Sequence, residues 1–169
     1  MIDSTPDEEL PGGLASGSAA GSASGSAPSS ASGSTASSAR DGRPWYPVVR
    51  IYTDGSGITR FEDGQIPLHE SGPIGSLSDA IEGARVRFRR TDGDYDYDWH
   101  PTPARQFIFL MNGEIEIETG DGEVRRFSGG ETLFLEDTSP PGHRTRNIGE
   151  TPRWSVFVQT DAPVPYRPR

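Results

Sequence analysis

The chain has no cysteine, and all 16 of its basic residues are arginines, so it also lacks lysine. Without cysteine there is no thiolate nucleophile, thiolate metal site or disulfide. Without lysine there is no Schiff base and no P-loop contact to phosphate. No apolar run is long enough to span a bilayer. The N-terminus is acidic (Asp3, Asp7, Glu8, Glu9) and only small polar residues follow it, so no secretory signal is expected and the chain reads as cytoplasmic. A net charge of -9 excludes the concentrated basic surface that nucleic acid or an anionic membrane requires, leaving a small molecule as the expected partner.

Residues 12–39 are almost entirely Gly, Ala and Ser. Such a stretch buries too little apolar surface to offset the entropy of ordering its backbone. The expected organisation is therefore a disordered tail over 1–43 and a single domain over 44–169, long enough to enclose one core.

Within that domain the apolar pattern has period two and is broken by glycine-rich turns, which reads as all-β. Val48–Tyr52 and Ile58–Phe61 flank the hairpin turn Asp54-Gly-Ser-Gly57. Ala84–Arg89 alternates apolar and basic residues, whereas Phe107–Met111 is apolar on both faces, as a central strand would be. Asn112-Gly113 turns the chain into Glu114–Glu118, whose glutamates form a wet face. Val124–Phe127, Thr132–Leu135, the segment around His143 and Trp154–Val158 complete a sandwich or small barrel. Ser76–Glu82 alone carries a helical expectation, with Ser76 or Ser78 as cap.

Histidine is scarce, with three in the chain. His69 follows no ligand spacing. His100 and His143 lie in His100-Pro-Thr-Pro-Ala-Arg-Gln106 and Pro141-Gly-His143-Arg-Thr-Arg-Asn147, two segments suited to converge. A converging pair of imidazoles suggests metal ligation or proton exchange at one site.

These segments resemble the two motifs of the cupin superfamily, small double-stranded β-helix barrels. The first motif is G-x5-H-x-H-x(3,4)-E-x6-G. Its final glycine matches Gly113, which places Gln106 at the glutamate position, His100 at the first histidine and Thr102 at the second. The second motif, G-x5-P-x-G-x2-H-x3-N, is matched by Gly130, Gly142, His143 and Asn147, with a longer interval from Gly130 to His143. The resemblance spans roughly Asp98 to Gln159. His100-Pro-Thr-Pro-Ala-Arg-Gln106 is also similar to an element of a group of single-domain cupins.

The resemblance implies a cupin barrel, commonly a homodimer, with an enclosed pocket. His100, Thr102 and Gln106 share parity, as do His143 and Asn147. Facing inward, His100, Gln106 and His143 would offer two imidazoles and an amide to a weakly held divalent metal ion: Fe, Mn, Ni or Zn. Thr102, Arg87, Arg144, Asn147 and Trp99 are the candidate substrate contacts. Three readings follow: a metal-dependent oxygenase or isomerase/cyclase; a metal-free isomerase, lyase or cyclase in which His100 and His143 exchange protons; and a non-catalytic cupin that binds a small ligand.

Other features carry less. Asp92, Asp94, Asp96 and Asp98 lack the glycine and glutamate of a calcium loop and read as a solvated strand edge. Tyr95, Tyr97 and Trp99 share a face, read as cross-strand packing with a pocket wall as the alternative. Among Arg87, Arg89, Arg105, Arg144 and Arg146, one is expected to hold a substrate carboxylate. Removal of residues 1–40 is expected to leave the thermal unfolding transition in place; loss of that transition in the truncated chain would refute the tail assignment.

Overall fold

The computed structural model describes residues 44–169; the expected tail, 1–43, lies outside them. Strand follows strand at the glycine punctuation. In chain order these are β1 (Trp45–Thr53), β2 (Thr59–Pro67), β3 (His69–Glu70), β4 (Ser76–Leu77), β5 (Arg85–Thr91), β6 (Asp96–His100) and β7 (Gln106–Leu110). After them come β8 (Glu114–Glu118), β9 (Val124–Ser128), β10 (Thr132–Leu135), β11 (His143–Ile148), β12 (Arg153–Gln159) and β13 (Arg167–Pro168). Among the described residues no helix is long and apolar enough to cross a membrane.

Two sheets face one another. The larger runs β13-β2-β1-β10-β7-β12-β5 and the smaller β6-β11-β8-β9. From β5 to β12 the chain alternates between sheets except at the β8–β9 hairpin, giving two four-stranded halves, β5-β12-β7-β10 and β6-β11-β8-β9, wound as a double-stranded β-helix. Every pairing within these halves is antiparallel. The β1–β2 hairpin extends the larger sheet through a parallel pairing of β1 with β10.

The strands that read as apolar on both faces are central. Ile108, Leu110, Leu133 and Leu135 point between the sheets and join Ile115, Ile117 and Phe127 of the smaller sheet. Phe107 and Phe134, of opposite parity, pack on the outer face with Val48 and Ile66, partly covered by Ile81 and Val164. Burial of a side chain such as Phe134, 1% exposed, contributes about 1.5–3 kcal/mol. Both layers hold β7 and β10 in place, and β7 begins at Gln106.

Ser76–Glu82 does not form a helix. Ser76 and Leu77 pair with Glu70 and His69, and the single helical element nearby is a 3-10 turn at Gly72–Ile74. Gly75 and Gly83, at φ 94° and 66°, bracket the segment and leave fewer residues than a helix needs to offset its nucleation cost. The glutamate face is also not uniformly wet. Glu116 is 8% exposed because Arg126 and Arg146 cover its carboxylate and, Arg126 first, hold its pKa below the usual range.

Gly142, at φ +76°, sets how closely β11 approaches β6. A Cβ there would stand 2.0 Å from the carbonyl oxygen of His100 and 2.5 Å from the nitrogen of Pro101. Gly122, at φ +83°, would place a Cβ in open space. Gly122→Ala is expected to cost the roughly 1–2 kcal/mol of left-handed backbone alone, and Gly142→Ala distinctly more. Urea unfolding of the two variants separates the strain from the contact, and equal losses would remove the contact from the account.

Candidate functional site

Pairing of β6 with β11 sets His100 directly opposite His143, with ring centroids 4.5 Å apart. The ladder is irregular here. His143 pairs with His100 and Thr145 with Tyr97, so three steps along β6 match two along β11. This bulge changes the inward parity of β6: Tyr97 and His100 both line the cavity between the sheets, and Trp99 does not. Strict alternation places Trp99 with Tyr97, which is why the sequence suggests it as a substrate contact. The side chain is instead 41% exposed and away from the cavity.

The cavity has a volume of about 340 Å³. Its floor is apolar, formed by Ile108, Ile115, Ile117, Leu135 and Phe157, and its polar groups include His100, His143, Gln106, Gln159 and Thr102. His143, 3% exposed, donates from Nδ1 to Oδ2 of Asp137 at 2.6 Å. Asp137 is fully buried, and its Oδ1 accepts from Oγ1 of Thr102 at 2.8 Å. The backbone nitrogen of Thr102 also donates to the Asp137 carbonyl at 3.0 Å. His100 donates from Nδ1 to the Asp98 carbonyl at 2.7 Å. Both rings thus spend Nδ1 on the protein and keep Nε2 free of a protein partner among the described residues. Burial holds the His100 pKa below the usual histidine value, and the neighbouring His143 acts in the same direction.

The other proposed contacts fall into two groups. Thr102 lines the cavity, but its hydroxyl is committed to Asp137, so it positions a carboxylate rather than meeting a substrate. Arg87 also lines the cavity. Arg144 lies outside it, with Asp96 and across the strand from Glu118. Asn147 stands beyond the cavity lining, accepting from Nε of Arg153 at 2.9 Å and donating to the Asp92 carbonyl at 3.1 Å. Arg105 and Arg146 pair with Glu136 and Glu116. His69 lies near Asp79 at the surface, 3.6 Å away. Asp92 and Asp96 pair with arginines along the edge strand.

Two residues were not legible as part of the site: Asp137, enclosed behind His143, and Arg153 in the cavity lining. Tyr95 and Tyr97 line the cavity rather than serving only as cross-strand packing. Tyr97 stacks at 4.0 Å on the His100 ring.

The strand order of the double-stranded β-helix, with the two motif histidines face to face, decides the architecture. The chain has the cupin fold. No family model matches the sequence, and no curated protein does. Among solved structures, a protein from Neisseria meningitidis is 21% identical, covering 48% of this chain and 78% of its own, at a TM-score of 0.38. An RmlC-like cupin family protein with a double-stranded β-helix fold from Methanocaldococcus jannaschii is 14% identical, covering 53% and 77%, at 0.40. The cupin domain of Cnp3 from Schizosaccharomyces pombe is 10% identical, covering 68% and 88%, at 0.37.

The donor set fits a divalent metal ion poorly. His100 and His143 offer two imidazoles, but Gln106 supplies a neutral amide whose Oε1 faces Nε2 of Gln159 at 3.5 Å. No group of three or more His, Cys, Asp or Glu is placed to hold a metal among the described residues. No carboxylate lines the cavity, whereas Arg87, Arg89 and Arg153 do, so the local field opposes a dication.

Asp137→Ala is expected to destabilise the protein by roughly 3–5 kcal/mol, because it leaves the His143 N–H and the Thr102 hydroxyl buried without an acceptor. Thr102→Val, which removes one donor and preserves shape, is expected to cost less. Chemical denaturation of both variants checks the order.

Proposed function

We propose that this cupin is a metal-independent proton-transfer catalyst, of the isomerase, lyase or cyclase class, acting on a small molecule held between the sheets. The observation that carries this reading is the buried Asp137–His143 hydrogen bond of 2.6 Å beside a second imidazole. A carboxylate on Nδ1 fixes the tautomer, directs Nε2 of His143 into the cavity as a base, and stabilises the imidazolium formed when it takes a proton.

His100 has a complementary part. With Nδ1 bonded to the Asp98 carbonyl and burial favouring the neutral ring, its Nε2 is a second proton-accepting atom, on a ring whose centroid lies 4.5 Å from that of His143. The two rings therefore address neighbouring atoms of one substrate. His143 removes a proton and, as the imidazolium so formed, returns it to an adjacent atom, while Nε2 of His100 accepts a hydrogen bond from the substrate. The apolar floor limits water and keeps the proton between substrate and protein.

Proton transfer is measurable before the substrate is known. A pool of small carbonyl compounds, incubated with the protein in D2O and followed by proton NMR, is expected to show enzyme-dependent loss of a C–H signal. That exchange should be insensitive to chelator and should fall by roughly 10²–10⁴-fold in His143→Gln. Exchange abolished by chelator and restored by Fe(II), Mn(II), Ni(II) or Zn(II) would overturn the proposal in favour of a metal at His100, Gln106 and His143.

A further inference from the structure

Proton transfer between the histidines leaves one wall of the cavity unused. Among the described residues nine arginines form ion pairs with carboxylates. Arg87, Arg89 and Arg153 form none, and all three line the cavity. The chain has 25 acidic residues, yet not one Asp or Glu lines this space among the described residues. Asp137, behind His143, is fully enclosed with both oxygens already accepting.

Arg153 is the least ordinary of the three. It is 3% exposed, and its only side-chain hydrogen bond among the described residues runs from Nε to Asn147, which leaves the terminal nitrogens of the guanidinium uncommitted. Arg89 lies 4.9 Å from the Tyr95 ring centroid and 5.5 Å from that of Phe157, and Arg153 lies 5.9 Å from the same tyrosine ring. Both guanidiniums therefore lie near the Tyr95 ring. A buried cation beside another cation, with no counter-charge, is costly unless an anion completes it. The Arg153 pKa is accordingly pushed down to about 10, by burial first and by Arg89 second.

We propose that the end of the cavity bounded by Arg89, Arg153 and Tyr95 binds the carboxylate of a small organic acid, whose apolar part lies against Ile108, Ile115 and Phe157. The proposal rests on the reading of this cavity as the reaction site and names its substrate class. A guanidinium meets a carboxylate through two parallel N–H bonds, and two guanidiniums neutralise it in a space from which water is partly excluded. A phosphate fits less well, since such groups are typically cradled by backbone N–H groups at a helix start or glycine loop. The one helical element among the described residues is the Gly72–Ile74 turn, which does not line the cavity. Arg89 also contributes to the electrostatics of His100, so a carboxylate bound there holds the rest of the molecule beside the histidine pair.

The test is an NMR titration of the full chain with benzoate, with its neutral counterpart benzamide and with inorganic phosphate. Benzoate is expected to bind at least roughly tenfold more tightly than benzamide and to move the Nε–H resonances of Arg89 and Arg153. Arg89→Gln should lower benzoate affinity by roughly tenfold with little change for benzamide. Arg153→Lys keeps the charge but loses the fork, and should also weaken benzoate, which provides a second variant should the first fail to fold. Equal affinity for benzoate and benzamide, no response to either up to about 10 mM, or tighter binding of phosphate would overturn the assignment. The titration requires no turnover. Its failure leaves the acid–base reading standing, while absent proton exchange with intact benzoate binding overturns that reading alone.

Discussion

The site depends on the burial of the Asp137 carboxylate, because an ionised group withdrawn from water persists only where donors replace its hydration. His143 and Thr102 supply those donors at 2.6 and 2.8 Å, and the backbone of Thr102 binds the carbonyl of the same residue. These bonds join three parts of the chain: the loop after β6, the loop after β10 and the start of β11. The close approach of Gly142 to the His100 carbonyl draws the same parts together from the backbone side. His143 cannot shift far without leaving a buried polar atom unpaired, and strand pairing sets His100 directly opposite it, which gives the pair a defined geometry.

Charge is sorted around the barrel between neighbouring residues, in loops as well as in strands. Glu136 and Asp137 are adjacent, yet Glu136 takes Arg50 and Arg105 at 2.6 and 2.7 Å while Asp137 turns to His143. On the smaller sheet, Glu116 meets Arg126 and Arg146, and Arg144 stands opposite Glu118 outside the cavity. Among the described residues carboxylates thus neutralise most of the arginines elsewhere and leave those of the cavity uncompensated. For an acidic protein the consequence is selectivity over short range: the overall charge does not attract anions from a distance, but a ligand that enters finds fixed positive groups in a partly dry space.

The strands from β7 to β12 were legible because hydrophobic alternation and glycine turns specify register directly, and the facing of His100 and His143 follows from the motif spacing that resembles cupins. Parity failed where the backbone departs from an ideal ladder. The bulge in β6 brings Tyr97 and His100 to one side and sends Trp99 away, and nothing in Asp-Tyr-Asp-Trp-His marks it. Asp137 lies in a loop, where no periodicity announces an inward side chain. Arg153 had a usable signal, since it shares parity with Phe157 and Gln159 on β12; the flanking Pro152 makes the position read as a turn.

The departures from the cupin ligand pattern are mutually consistent. Thr102, at a histidine position, turns its hydroxyl to Asp137 and so orients His143 instead of offering a donor to the cavity. Gln106, at the glutamate position, brings no negative charge and faces Gln159 at 3.5 Å. Removing anionic donors alone would leave a merely neutral pocket. Here their loss coincides with Arg87, Arg89 and Arg153 at the cavity wall, so positive charge enters on side chains held by Tyr95, Phe157 and Asn147. Fixed guanidiniums can bind and orient a carboxylate but cannot generate a metal hydroxide or activate oxygen. On the proposed reading, such a cavity suits the chemistry of a positioned imidazole pair, the movement of a proton on a bound acid.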